Sequence, residues 1–253
     1  MGSPLEPPSL SAVSEPNPIL PKVTPAPADA IGHRMLKDML PHGVPGAAGF
    51  DIAAGTMLEE RGGANTLWDT IPLGDGRTAF LVMEVKVPGY PPAHVLGMAR
   101  AALRAAADGR SLASLLERVN AALAGVHAKG IDQFVDCAVV VPGDGMVEWA
   151  CAGRIPAGVL GRDGTFQPLG SHGPPLGMMD GFRYGTEEAV MVSGSSLLVL
   201  AGGSVGLFRG AADLVAEVQE KTAGEVVSIV HRAVRRANTE ASREVSVLFL
   251  RKH

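Results

Sequence analysis

The sequence predicts an α+β fold in which antiparallel sheets pack face to face and helices lie outside. Three observations predict it. Strand-like runs occur in clusters, in the order strands, two helices, many strands, two helices, one strand. Strands and helices do not alternate, which argues against a parallel doubly wound sheet. And 46% of the 253 residues are hydrophobic against 19% charged, enough to bury one large core. Aromatic residues make up only 4%, so Ala, Val, Leu and Met must do most of the packing.

Residues 1–28 are rich in Pro and Ser without sustained periodicity, and they read as a mobile tail or linker, since proline denies both helix and ladder hydrogen bonds. A short amphipathic helix and linker are expected over 29–45, with the helix at 29–40 stopped by Pro41. Ile31, Met35, Leu36, Met39 and Leu40 share one face of it, serving either as core or as a docking surface for a partner. The main domain is expected over 46–253.

Within that domain "GFDIAAGTML" and "LWDTIPLGDGRTAFLVMEV" read as strands, with Gly74-Asp75-Gly76 as a tight hairpin turn. In "PPAHVLGMARAALRAAA", Val95, Ala99, Leu103 and Ala106 recur at helical spacing. "SLASLLERVNAALAGV" repeats the pattern through Leu112, Leu115, Leu116, Val119 and Leu123, with Ser111 as N-cap. Five strand-like segments follow: "QFVDCAVVV", "GMVEWACAG", "PAGVLGRDGTF", "EEAVMVS" and "SSLLVLA". Helical patterns occupy about 210–220 and 223–237, and "EVSVLFLRK" closes the chain as a strand.

Several function classes fall away on composition. A net charge of −4 gives no general attraction to nucleic acid or anionic membrane. No apolar run reaches the ~18 residues of a membrane helix, and the N-terminus lacks the basic and apolar regions of a signal peptide. Cys137 and Cys151 sit in apolar runs, as buried thiols of a reducing compartment do. A cytoplasmic location is expected. The seven histidines are scattered without zinc-ligand spacing. His231, Arg232, Arg235 and Arg236 read as a solvated helix face.

One motif invites a catalytic reading. Gly202-Gly203-Ser204-Val205-Gly206 matches the G-x-S-x-G elbow of serine hydrolases. Such a serine needs a base and an orienting acid. The only histidines after it are His231, mid-helix, and His253, the last residue, and no oxyanion segment precedes it. Ser204 therefore reads as a turn residue.

The order of segments carries more. "MLKDMLP", "RGGANTLWDTIPLGDGRTAFLVMEV", the two-helix stretch, "FVDCAVVVPGDGMVEWACAGRIPAGVLGRDG", "SSLLVLAGG" and "REVSVLFLRK" run in the order of a known family. From about residue 35 onward the chain resembles the bacterial PPM (protein phosphatase 2C-like) serine/threonine phosphatases of the SpoIIE type, which control sigma-factor partner switching. The resemblance implies a PPM-phosphatase-like α-β-β-α sandwich with two Mn²⁺ or Mg²⁺ ions held at one edge by aspartates. Hard divalent ions want anionic oxygen ligands, and paired ions lower the pKa of water and neutralise phosphoryl charge.

Carried over position by position, the family's "GGD" aspartate falls on Ala64 or Asn65, and its bridging aspartate on Glu84. The aspartate of "TDG" falls on Gly202, and the first aspartate of the closing pair on Arg243, followed by Glu244. The histidine of "AGHPPP" becomes Arg154, a candidate phosphate binder by bidentate hydrogen bonds. Three of four anionic ligands are lost on this reading, and Arg243 or Lys86 would neutralise Glu84 in place of metal. No cofactor is then expected. The expected function is a pseudophosphatase, a regulatory binding module whose partner is an anti-sigma antagonist or anti-sigma kinase, with homodimerisation left open. The alternative is a working phosphatase with a rearranged Mn²⁺ or Mg²⁺ site built from Glu84, Glu244 and either Asp69 or Asp136.

Overall fold

A computed structural model describes residues 28–58, 64–85, 92–127, 133–202, 218–236 and 244–253. In chain order these form α1 (Ala28–Met39), β1 (Phe50–Met57), β2 (Thr66–Pro72), β3 (Thr78–Val85), α2 (Pro92–Ala106), α3 (Leu112–His127), β4 (Val135–Pro142) and β5 (Met146–Ala152). There follow β6 (Ala157–Leu160), β7 (Phe166–Pro168), β8 (Glu187–Val190), β9 (Ser196–Gly202), α4 (Ala223–Arg236) and β10 (Val245–Lys252). The helical pattern at about 210–220 lies almost wholly outside the described residues.

The strands form two five-stranded sheets, β1-β10-β9-β6-β7 and β2-β3-β4-β5-β8, and every described pairing is antiparallel. Alternation along each strand sorts side chains into layers. On β3, Leu81 and Met83 face α2 and α3, whereas Phe80 and Val82 face the opposite sheet. The inner layer holds Trp149, Leu197, Val199 and Leu248 between the sheets. A third layer packs Val226, Val230 and Val234 of α4 on Leu200, Val247 and Phe249. The result is the α-β-β-α sandwich. No helix among the described residues is long and apolar enough to cross a membrane.

Local chemistry explains the boundaries. Gly76, at φ +86°, closes the β2–β3 hairpin by donating its N–H to the Leu73 carbonyl. The Ser111 hydroxyl accepts the N–H of Ser114 and caps α3. Thr222 and Glu225 cap α4 reciprocally, the Glu225 carboxylate accepting the Thr222 N–H at 2.8 Å. Cys137 and Cys151 are both buried and outside any disulfide, and burial pushes the Cys137 thiol far up, out of reach of ordinary thiolate chemistry.

The α1 face packs against the core, one of the two roles expected for it. Leu36 is fully buried, and Met35, Met39 and Leu40 pack against the same core cluster. The helix crosses α2 closely, since a β-carbon placed at Gly97 would lie 3.4 Å from the Met39 sulfur. Leu36 thus belongs to the chain's own core, Met35, Met39 and Leu40 are half-buried beside it, and Ile31 is the well exposed apolar residue of the stripe.

His231 on α4 lies over Gly55 of β1, where a β-carbon at residue 55 would meet its Cε1 at 3.1 Å. Burial holds its imidazole below the ordinary value near 6.5, Arg235 adds to the effect, and the Gly55 carbonyl opposes it. Below about pH 6.5 the folded chain therefore binds fewer protons here than the unfolded chain, so the contribution is complete above that pH and lost as pH falls. The melting temperature is expected to drop between about pH 7.5 and pH 5.5, and His231→Leu to flatten that dependence. An unchanged slope in the variant would assign the acid sensitivity elsewhere.

Candidate functional site

The described positions that the family resemblance singles out come together at one end of the sandwich. Glu84 stands at the end of β3, where Thr66 and Asp136 are its cross-strand partners. Gly202 ends β9 and pairs with Val245 at the start of β10. Glu84 and Asp136 share the parity of the inward-facing Phe80, Val82, Ala138 and Val140, so both face the space between the sheets. They are 7% and 4% exposed. Arg243 and Lys86, expected to neutralise Glu84, lie outside the described residues, as does Ser204.

Glu244 joins the two sheets. It is completely buried, and its two carboxylate oxygens accept the backbone N–H groups of Ala64 at 3.2 Å and Asn65 at 3.1 Å. Those amides belong to the turn before β2, which also reaches β3 because the Asn65 carbonyl accepts the Val85 N–H at 2.9 Å. Ala64 sits at φ +50°, the only non-glycine residue with positive φ among those described. An alanine there costs about 1 kcal/mol relative to an unstrained conformation. The Glu244 carboxylate binds the strained turn directly. The Asn65 side-chain oxygen is buried, with no hydrogen-bond partner among the described residues.

Gly202 has φ +96°, and a β-carbon there would lie 2.1 Å from the Glu244 carbonyl oxygen and 3.1 Å from the Val245 Cα. The backbone of β10 occupies the space that any side chain at 202 would need.

Asp69 belongs elsewhere. It is buried on the outer, helix-facing side of β2, where Arg100 donates to it at 2.7 Å and Arg104 at 2.8 Å. These bonds fasten α2 to β2, and they remove Asp69 as a candidate ligand beside Glu84, on the opposite face of the sheet. Asp136 does belong to the site. A β-carbon at Gly153 would fall 1.9 Å from its Oδ1, so only glycine lets β5 approach this carboxylate.

Arg154 follows directly and is exposed at the junction of two adjoining depressions. The larger, of about 550 Å³, has Asp136, Phe134 and Met178 in its wall; the smaller, of about 240 Å³, has Phe166 and Leu169. Sequence reasoning found Arg154 only through its place in the resemblance and missed the depressions, whose walls come from separate loops. It also missed the Glu244 clamp, because a carboxylate bound to backbone amides leaves no mark in the identity of the residues it binds.

The family described as Stage II sporulation protein E (SpoIIE) matches residues 74–252. Among curated proteins, none matches the chain. Solved structures with the same fold include the RsbU and RsbW domains of Rv1364c from Mycobacterium tuberculosis, at 21% identity and TM-score 0.60. That match covers 81% of this chain and 60% of the Rv1364c chain, so this chain spans less than two thirds of that relative. The SiaA-PP2C domain of Pseudomonas aeruginosa is similar at 18% identity and TM-score 0.64, covering 89% of this chain and 94% of its own. The catalytic domain of the serine/threonine protein phosphatase PstP, solved with two manganese ions, is similar at 11% identity and TM-score 0.64, with coverages of 80% and 97%. With the family description matched over most of its length and the layered sandwich in common with these structures, the chain belongs to the SpoIIE family of PP2C-type phosphatase domains.

Proposed function

We propose that this SpoIIE-family domain is a pseudophosphatase, a module that binds a protein partner without hydrolysing phosphoserine. The observation that carries this reading is the crowding at Gly202: the resemblance calls for an aspartate where the β10 backbone leaves no room for a β-carbon. The neighbouring donors support it. Ala64 offers no side-chain donor, Asn65 offers a neutral amide, and Glu244 is turned toward the 64–65 amides. Among the described residues no three His, Cys, Asp or Glu side chains are grouped to hold a metal ion. These residues do not fit a two-ion centre, which needs several anionic oxygens around each ion. By family likeness the partner is an anti-sigma antagonist or an anti-sigma kinase, and the module is cytoplasmic.

A second reading has one observation in its favour. Glu84 and Asp136 are directly opposed on β3 and β4, an arrangement in which two carboxylates could share one Mn²⁺ or Mg²⁺. Calorimetric titration of the full chain with Mn²⁺, alongside turnover of p-nitrophenyl phosphate, separates the two. The pseudophosphatase shows no saturable heat and background turnover. Turnover that depends on Mn²⁺ and disappears in both Glu84→Ala and Asp136→Ala overturns it in favour of the single-ion site.

A further inference from the structure

We propose that the free edge of β8 docks an extended segment of a partner protein, added as an antiparallel strand, with a Lys or Arg beside Glu188 and an apolar side chain beside Val190. This goes beyond the pseudophosphatase reading and stands whether or not the domain hydrolyses phosphoserine. The register pairs Val141 with Glu148 and Cys137 with Ala152, which puts this edge toward the end of the sheet away from Asp136.

β8 is the last strand of its sheet, paired on one side only, with β5. Met191 donates its N–H to the Gly145 carbonyl, so residues 189 and 191 turn their backbone groups toward β5. By alternation Glu188 and Val190 turn their N–H and C=O groups outward, a template for one more strand. The side chains along this edge include an unusual amount of exposed apolar surface. Val190 is 70% exposed, Val192 is 62% exposed, and Met146, the cross-strand partner of Val190, is 37% exposed. At the edge of the other sheet, β7 has only three residues and ends in Pro168, which has no N–H to offer. Residues 186–192 contain no proline. The β8 edge is therefore the one fit for strand addition.

Charge decides the occupant. Glu188 stands directly opposite Glu148 on β5, a like-charged cross-strand pair that costs stability. The nearby cation is already shared, since Arg77 lies 2.9 Å from Glu148 and 2.7 Å from Asp75. Glu188 is exposed, and no cation among the described residues pairs with it. A second copy of this chain does not suit the edge. Antiparallel pairing of β8 with itself brings two Glu187 and two Glu188 side chains into one short overlap and compounds the repulsion. A strand with a basic residue supplies the missing cation instead. An apolar residue two positions along then covers Val190, because side chains two apart share a face.

The test uses the full chain and the peptide Thr-Val-Thr-Lys-Thr-Val-Thr, which sets Lys between two valines on one face. Binding is followed by anisotropy of the fluorescein-labelled peptide and by amide hydrogen exchange of the chain in NMR spectra. In the free chain the Glu188 and Val190 amides are expected to exchange fast and those of Ala189 and Met191 slowly. Peptide at ten times its Kd is expected to slow Glu188 and Val190 about tenfold and to leave the other two unchanged. Replacing the peptide's Lys by Glu, or Glu188→Lys in the chain, is expected to weaken binding about fivefold or more. N-methylation of the Lys and Val residues abolishes binding, whereas N-methylation of the two Thr beside Lys leaves it intact, since only the former face the edge in an antiparallel ladder. Asp38→Lys, the same charge change on α1, is the control and binds as wild type. Circular dichroism shows that each variant is folded. Absence of saturable binding, unchanged exchange at Glu188 and Val190 with peptide bound, or equal binding of the Lys and Glu peptides overturns the proposal. Slow exchange of these two amides in the free chain that quickens on dilution also overturns it, in favour of a second copy on this edge.

Discussion

Glu244→Ala is expected to lower the unfolding free energy by about 3 kcal/mol, by loss of two hydrogen bonds to a charged acceptor. The carboxylate is completely buried, and the amides it serves belong to a turn 180 and 179 residues away in sequence. Truncation leaves the buried Ala64 N–H without its acceptor and removes the group that holds Ala64 at φ +50°. Glu244→Gln should lose much of the same stability, because the amide keeps one acceptor oxygen and turns an NH₂ toward the second backbone donor. Denaturant unfolding with EDTA and with Mn²⁺ checks both points. The clamp needs no metal, so each protein should keep its own midpoint whether EDTA or Mn²⁺ is present. A midpoint that rises with Mn²⁺ in wild type and in Glu84→Ala but not in Glu244→Ala would mean that the Glu244 carboxylate serves an ion and not the turn.

Gly202→Asp is expected to destabilise the chain by more than about 3 kcal/mol without creating a metal site, although it restores the residue that the resemblance calls for. Two effects add. The left-handed backbone at φ +96° disfavours any β-carbon, and that carbon would fall 2.1 Å from the Glu244 carbonyl oxygen, a backbone atom that cannot swing aside. Gly202→Ala separates geometry from charge, and it should destabilise nearly as much as aspartate does. Soluble yield and denaturant midpoint report the stability, and Mn²⁺ calorimetry reports the site. A Gly202→Asp protein as stable as wild type that binds Mn²⁺ would show that the crowding is relieved by a small shift of β10, and the pseudophosphatase reading would lose its main support.

The two substitutions bear on the same strand end from opposite sides. Glu244 ties the start of β10 to the turn before β2, and Gly202 lets β9 lie flat against that start. Among the described residues, a side-chain clamp and a close backbone approach thus meet at the start of β10. A carboxylate reaching amides here gains more than it would at the surface, since the alternative is an unpaired buried donor.

Much of the architecture was legible in the residues because burial repeats with a short period. Val95, Ala99 and Leu103 are fully buried along α2, as their spacing implies, and the apolar runs became strands with Leu81 and Val82 on opposite faces. Ser111 and the Gly74–Gly76 turn were equally readable, each depending on a few neighbouring residues. The α1 face shows the limit. Its stripe told of an apolar face but not of whether the chain's own core would meet it, and α2 lies against it.

The same division runs through the site. The residues standing at positions 65, 84, 202 and 244 were determined by the sequence alone. What Glu244 binds, why Gly202 admits no side chain, that Asp69 faces two arginines and that Asp136 faces inward beside Glu84 were decided only by tertiary structure. The physical reason is distance along the chain. Periodicity and capping act over a few residues, whereas each of these contacts joins segments tens to hundreds of residues apart, and the identity of a side chain does not say which distant backbone it will meet.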